Sequence, residues 1–405
     1  MIDPNELRHH ASFLNLDAGV VEQDYILDWI LAGIGRTEGP KSHWKLEGPT
    51  ALRKCYLETY RFSGSASFTV AGCKEVDAGA LLRRLERIAK WLEKTCGVVI
   101  RVREIDVDRA FADGRVCLRI PYEASLSASA DQPHIELNFR PQPPLSSRQR
   151  MRAIRHRFSD WGTKGFEIAC WPHEELFADA IVSLCDQPGP ETLFDAVSLF
   201  RNSETVYTRR DVLRLVQLRY RAEGRMLPDI KALDAASERI IATWAEALEH
   251  RLPALPPIET VLRALPTLFR WVHGAAMGAP LFSLPSRLET DPALHAHTKG
   301  ICTDHPYFDP ICYAASVLLC IEIEHLEGDG STLNSCVEPY AAREKHGRQL
   351  LYGVDVERGL VRTYEIDRIQ HVHITQKYFR PRYLVDIAFM TPRRLRPPRT
   401  TGKEK

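Results

Sequence analysis

Residues 20–35, VVEQDYILDWILAGIG, place Val21, Tyr25, Ile26, Trp29, Ile30 and Ala32 at helical spacing, which predicts a helix. Residues 78–95 repeat the pattern, and Asp77 stands where a short acceptor side chain caps a first turn. From 173 to 273 the period is helical in one run after another: EELFADAIVSLC, ETLFDAVSLF, RRDVLRLVQLRY, DIKALDAASERIIATWAEALEH and IETVLRALPTLFRWVH. Between these helical zones, HWKLEG, RFSGSASFTV, GVVIRVREIDV, GRVCLRIPYE and HIELNFR have the apolar, β-branched character of strands. Further strands are expected in LLCIEIEHLE, LLYGVDV, VRTYEIDRI and YLVDIAF, with GDG and ERG as turns between them. The stretch before them is rich in Gly, Pro, Ser and His and keeps no period. The expected fold class is α+β. Residues 1–172 form a mixed sheet with helices, 173–275 a helical domain, 276–305 a linker, 306–392 a small β domain, and 393–405 a basic tail.

Composition narrows this picture only slightly. Fifty-four basic and 53 acidic side chains among 405 residues leave a net charge of +1, so bulk electrostatics do not select a nucleic-acid partner. The ten cysteines include no C-x-x-C pair, which argues against a zinc site or a disulfide framework and for buried free thiols. The histidines of HAHTKGICTDH and HVH lack the helical i, i+4 pairing of a metal site, so no metal ligands are assigned. MIDPNELRHH lacks a signal-peptide profile, and no apolar run reaches the ~20 residues that span a bilayer. A cytoplasmic protein with no membrane association is expected. Two arginine-rich stretches, 148–157 and the tail, suit either a solvated face or contacts to phosphates.

Candidate chemistry concentrates in residues 47–70, EGPTALRKCYLETYRFSGSASFTV. A strand enters a turn at Gly48 and a helix begins near Thr50, presenting free N–H groups and the positive end of a helix to an anion. In the next strand Ser63, Ser65 and Ser67 alternate onto one face, and Glu136 of HIELNFR looks toward the same row. Phosphoryl chemistry on magnesium would want carboxylates at positions 65 and 67, where this chain has hydroxyls. Glu75, Asp77, Asp106 and Asp108 are the acids that displacement would have to bring to the site.

These residues resemble the AbiEii/AbiGii family of bacterial nucleotidyltransferase-fold toxins, whose signature runs G-G-T-x-L-x-K and then R-F-S-E-D-L-D-F. GPTALRKCYLETYRFSGSASF keeps Gly48, Thr50, Leu52, Lys54, Arg61, Phe62, Ser63 and Phe68, and the likeness extends through VEQDYILDWILAGI, HIELNFR and EELFADAIVSL, over roughly residues 20–200. The resemblance implies a nucleotidyltransferase-like sheet, nucleotide contacts from Gly48, Thr50, Lys54 and Ser63, and catalytic positions at Ser65, Ser67 and Glu136. Four departures fall at its functional positions. Pro49 replaces a glycine, Ser65 and Ser67 replace metal-binding aspartates, Asp179-Ala180 replaces an acid-lysine pair, and Glu191-Thr192 replaces Arg-Asp, with Asp195 surviving.

The C-terminal segment CVEPYAAREKHGRQLLYGVDVERGLVRTYEIDRI resembles the WYL domain, an Sm-like β fold with a ligand-binding groove. Glu338, Pro339, Tyr340, Asp355, Arg362, Tyr364, Asp367, Arg368 and Ile369 match, and Gln349-Leu350-Leu351 stands in place of the name-giving triplet. The resemblance implies ligand contacts from Tyr340, Arg362 and Arg368.

Together these likenesses imply a toxin–antitoxin or phage-defence protein, catalytically degenerate, with an antitoxin partner and an RNA or nucleotide ligand. Two alternatives stay open. One is an active transferase with an altered metal site, which alone would require magnesium and an NTP. The other is a WYL-type sensor of nucleotides or nucleic acid that uses the transferase fold as scaffold.

Overall fold

The computed structural model describes residues 2–39, 43–57, 61–108, 114–126, 133–141, 150–161, 165–202, 209–222, 224, 231–272, 305–345, 347–381, 385 and 387. The linker assigned to 276–305 lies outside these residues except for His305. The basic tail and most of YLVDIAF lie outside them as well. The chain folds as two compact units. The first holds residues 2–12 and 16–179, and the second holds 13–15 and the described residues from 180 onward.

Secondary structure in the first unit follows from pattern and capping. Helix α1 (Pro4–Leu14) precedes α2 (Ala18–Glu38), whose first turn is capped by Asp17 accepting from the Gly19 N–H. Every residue from Tyr25 to Gly35 of α2 is buried, Asp28 included, so the helix lies inside the unit and not on its surface. Then come β1 (Trp44–Glu47), α3 (Gly48–Cys55), β2 (Ser65–Val70) and α4 (Ala78–Cys96), the last running from an Asp77 cap to Gly97 in the left-handed region. Strands β3 (Asp106–Asp108), β4 (Val116–Pro121), β5 (His134–Pro141), β6 (Arg150–Ala153) and β7 (Glu167–Cys170) complete it. GVVIRVREIDV was expected as one strand. It holds only a bridge from Ile100 to Tyr122, a 3-10 turn at Val102–Glu104 and the three residues of β3.

The sheet order is β3-β4-β5-β2-β1-β7-β6. The β2–β5 and β1–β7 pairs are parallel and the others antiparallel, so the sheet is mixed. One face is apolar: Leu46, Phe68 and Phe139 share it, with the two phenylalanine rings stacked 5.2 Å apart. The other face collects the odd residues of β2 and their partners, Glu47 opposite Ser67, and Glu136 and Asn138 beside Ser65 and Ser67.

In the second unit, α5 (His173–Asp186) continues past Asp179 into α6 (Pro190–Asn202), α7 (Arg209–Ala222), α8 (Lys231–Leu248), α9 (Ile258–Leu262), α10 (Leu265–Val272) and α11 (Phe308–Val317). An antiparallel sheet follows, formed by β8 (Leu319–Leu326), β9 (Thr332–Lys345), β10 (Arg348–Asp355), β11 (Leu360–Glu365) and β12 (Ile369–Tyr378) in the order β11-β10-β9-β8-β12. The two edge strands are joined by a single 3-10 turn, Ile366–Arg368. Three residues cannot cross an open five-stranded sheet, whose strands lie about 4.8 Å apart. The sheet must therefore curl toward a small barrel, so that the end of β11 meets the start of β12. The rings of His325 on β8 and Tyr364 on β11 are 5.6 Å apart across the closure.

No helix among the described residues is long and apolar enough to cross a membrane. The nine described cysteines are free thiols, six of them buried.

The approach of α2 to β7 depends on a missing side chain. A Cβ on Gly35 would lie 2.0 Å from the Glu167 carbonyl oxygen, a backbone atom that cannot step aside. Gly35→Ala is expected to lower stability by about 1–3 kcal/mol, as overpacking does, read as an earlier urea midpoint. A midpoint equal to wild type would show that α2 does not approach β7 so closely.

Candidate functional site

Strand β1 ends at Glu47, and the chain turns at Gly48 with φ +70. A Cβ there would meet nothing within 4 Å, so the backbone angle and not crowding calls for glycine. Pro49 occupies the first turn of α3, where its missing N–H breaks no helical bond but removes one donor from the turn. Thr50 is buried, and its hydroxyl donates to the Ser65 carbonyl at 2.5 Å. It ties α3 to the head of β2 and does not point outward as a nucleotide contact would.

Lys54 is likewise turned inward. Its ammonium is buried and held by Asp24 at 2.8 Å and by Asp28, both on α2. Arg53 forks onto Asp24 at 3.1 and 3.2 Å and lies 3.5 Å over the Phe62 ring. On the far side of Asp28, His156 bonds Asp28 through Nδ1 and Asp160 through Nε2, each at 2.9 Å. The Tyr25 hydroxyl donates to Asp160 at 2.7 Å, and Trp161 stacks on the imidazole at 4.1 Å. Burial opposes charge on Asp24, but Arg53 and Lys54 outweigh it and hold its pKa down to about 2. Burial also disfavours the His156 imidazolium. Its hydrogen bonds to Asp160 and Asp28 prevail and raise its pKa above the ordinary value of 6.5.

The expected serine row does form. Ser63, Ser65 and Ser67 are half-buried, while Ala66 and Phe68, which alternate with them, are buried in the core. Ser63 Oγ lies 3.3 Å from Ser65 Oγ and donates to the Ser65 carbonyl at 3.1 Å. Glu136 stands beside Ser65 in register, as expected, but its carboxylate accepts from Arg119 at 3.2 Å, and Arg119 also reaches Asp106 at 3.3 Å. Among the acids considered for displacement into the site, Asp106 is thus bound to Arg119 and Asp77 caps α4.

A second cation on this face escaped the sequence reading. Arg140, the next alternate residue after Glu136 and Asn138, forks onto the buried Glu47 carboxylate at 2.6 and 2.8 Å and reaches Asp179 of α5 at 3.6 Å. Its guanidinium lies 5.5 Å from the Trp171 ring centroid. Burial opposes the Arg140 charge, and Glu47 and Asp179 more than restore it, raising its pKa. The alternation 136, 138, 140 was visible in HIELNFR and carried the signal.

These donors do not fit a magnesium ion. At the centre stand two neutral hydroxyls, and the carboxylates on either side are already neutralised by guanidinium groups. A hard, strongly hydrated dication exchanges its water for charged oxygens and not for serine hydroxyls. Among the described residues no three His, Cys, Asp or Glu side chains converge as a metal site. Asp195 is buried on α6, in the second unit.

In the C-terminal barrel, each of the three residues expected to bind a ligand lies beside an acidic side chain of the protein itself. Tyr340 is 1% exposed, its hydroxyl donates to Glu338 at 2.8 Å, and its ring packs on Phe379. It is a core residue. Arg368 lies in the 3-10 turn and pairs with Glu365 at 3.2 Å. Arg362 lies on β11 between Asp355, at 3.8 Å, and Glu327, at 3.9 Å.

Comparison with known proteins adds a family. Residues 29–271 match the family described as nucleotidyl transferase AbiEii toxin, type IV TA system. A search of curated proteins finds no match. Among solved structures, the chain is similar to MenT4, nucleotidyltransferase toxin Rv2826c from Mycobacterium tuberculosis H37Rv, at 18% identity over 54% of this chain and 70% of that one, with a TM-score of 0.39. It is also similar to proteasome accessory factor B/C of Arthrobacter aurescens, at 18% identity over 47% of this chain and 32% of that one, with a TM-score of 0.18.

The interior ion network sets a pH window for stability. Asp24 contributes above its unfolded pKa of 3.8, and that contribution is lost as pH falls toward about 2. His156 contributes below its unfolded pKa of 6.5, and that contribution is lost as pH rises through its raised folded value. The melting temperature is expected to fall as pH is raised above 6.5, and His156→Phe should flatten that decline while leaving the acid limb in place. An unchanged alkaline decline in the variant would assign it to other groups.

Proposed function

Because the chain belongs to the AbiEii nucleotidyltransferase toxin family, we propose that it is the toxin-side protein of a toxin–antitoxin module that has kept the transferase fold and lost nucleotide transfer. The observation that carries this reading is the state of the polar sheet face. Ser65 and Ser67 stand where two charged metal ligands would be needed, and Glu47, Glu136 and Asp179 are held by Arg140 and Arg119. Without a metal-loaded nucleotide, the charge that develops on a transferred phosphoryl group loses a stabilisation worth several kcal/mol. Freeing the buried Glu47 to bind a metal would also break a bidentate pair, at a cost of about 3–5 kcal/mol for an uncompensated buried charge. The face is therefore read as a binding or docking surface. The antitoxin is the partner that the family assignment supports.

The C-terminal barrel is read as a WYL-like ligand-sensing domain. Support comes from the Glu338-Pro339-Tyr340 strand, the Arg362 to Ile369 segment and the five-stranded antiparallel sheet whose edge strands are joined by a three-residue turn. Tyr340 serves this domain as core, and contact with a ligand falls to other residues.

Purified protein given each labelled NTP, magnesium or manganese, and total tRNA is expected to incorporate nothing above background. Robust labelling that Glu136→Gln abolishes would overturn the degenerate reading. Restoring Ser65→Asp and Ser67→Asp together is expected to produce magnesium-dependent NTP binding, followed by calorimetry. A folded double variant with no such affinity would show that the loss extends beyond the two serines.

A further inference from the structure

Strand β8 alternates Leu319, Ile321, Ile323 and His325 toward the inside of the barrel, with exposed Glu322 and Glu324 between them. The fourth inward position is thus a histidine where the series calls for an apolar residue. His325 is 6% exposed, and neither ring nitrogen has a hydrogen-bond partner. Facing it across the closure, Tyr364 is 1% exposed, and its hydroxyl lies near Ser335 without completing a well-formed hydrogen bond. Arg362 adds a third group, its Nη1 buried and without a hydrogen bond. Buried polar atoms are nearly always satisfied, and each orphan is costly. Three side chains with unmet capacity, on β8 and β11, converge on one place inside the barrel.

The charges around this place select the chemistry. Glu327 lies 3.5 Å from His325 Nδ1 and 3.9 Å from Arg362, and Asp355 lies 3.8 Å from Arg362. Asp355 Oδ1 already accepts from the backbone N–H groups of Glu357 and Arg358. Arg358 also lies 3.9 Å from Asp355, so two carboxylates offset two guanidinium groups, a balance that leaves no net positive charge to seat a phosphate. They suit a flat neutral group that carries N–H donors beside carbonyl acceptors.

We propose that this polar end of the barrel interior recognises a guanine base. The O6 and N7 acceptors would face Arg362 and Tyr364, the N1–H and N2–H donors would face Glu327, and the His325 imidazole would line the ring. Arginine to O6 and N7 is the commonest specific contact to guanine, and unpaired bases are read on these edges against aromatic and guanidinium planes. Adenine presents an amino donor where guanine has O6, so Arg362 would oppose it. The inference rests on reading the barrel as a ligand-sensing domain and deepens it by naming the base that the domain would read.

The test is calorimetric titration of the full chain with GMP, with AMP, and with short single-stranded RNAs that contain or lack guanine. GMP and the guanine-containing RNA are expected to bind about tenfold or more tightly than their counterparts. Tyr364→Phe, which keeps the ring and removes only the hydroxyl, should weaken the guanine ligands about fivefold, and Glu327→Gln should weaken them further, without changing the melting temperature. Equal affinity for AMP and GMP, untouched by either variant, would overturn the guanine site and leave ligand sensing standing. No binding by any of the four probes would overturn both. Binding of the RNA alone, with GMP inert, would also overturn the base pocket and point to a backbone contact elsewhere.

Discussion

A cation buried beneath α2 has to be met by anions, and the first unit is arranged around that requirement. Lys54 comes from the short helix that follows the Gly48 turn, and its ammonium reaches two carboxylates one helical turn apart on α2. The same carboxylates fix Arg53 on one side and His156 on the other, and His156 passes the constraint on to Asp160 and Tyr25. Truncating one member of such a network strands its partners in a low dielectric, which costs far more than the net value of the pair. The position of α3, and with it the turn at Gly48 and the start of β2, is therefore set from the inside of the unit.

The polar face of the sheet shows the same rule with another outcome. Glu47 of β1 and Arg140 of β5 satisfy each other across β2, and Asp179 joins them from α5. A surface that holds acids for a metal must leave them unsatisfied until the metal arrives. Here the acids are satisfied in advance by the protein's own guanidinium groups. Stability and catalytic readiness compete at such positions.

How much of this was legible depended on whether the signal was local. Helices α2 and α4, the Asp77 cap and the Ser63, Ser65, Ser67 row follow from spacing alone, and the structure places them as the pattern implies. The family resemblance assigns Lys54 to a nucleotide, whereas the structure holds it between Asp24 and Asp28, which stand four residues apart on a buried helix and call for a buried cation. Tyr340 and Glu338 share a strand face by their spacing, and nothing local says that this face is the inner one. Arg362 and Arg368 stand an even number of residues apart, but alternation holds only along an unbroken strand, and the turn at Ile366–Arg368 breaks the strand between them.

That three-residue turn between β11 and β12 has a consequence in time. The last strand pairs with the first one of the barrel, so its hydrogen bonds form only after the intervening hairpins have curled far enough to bring β8 within reach. The hairpins themselves close local loops, whereas the β8–β12 seam spans the whole barrel and waits for the others, a non-local pairing of the kind that slows folding. During synthesis β8 emerges well before β12 and must wait, its outer edge unpaired, until the chain has come full circle.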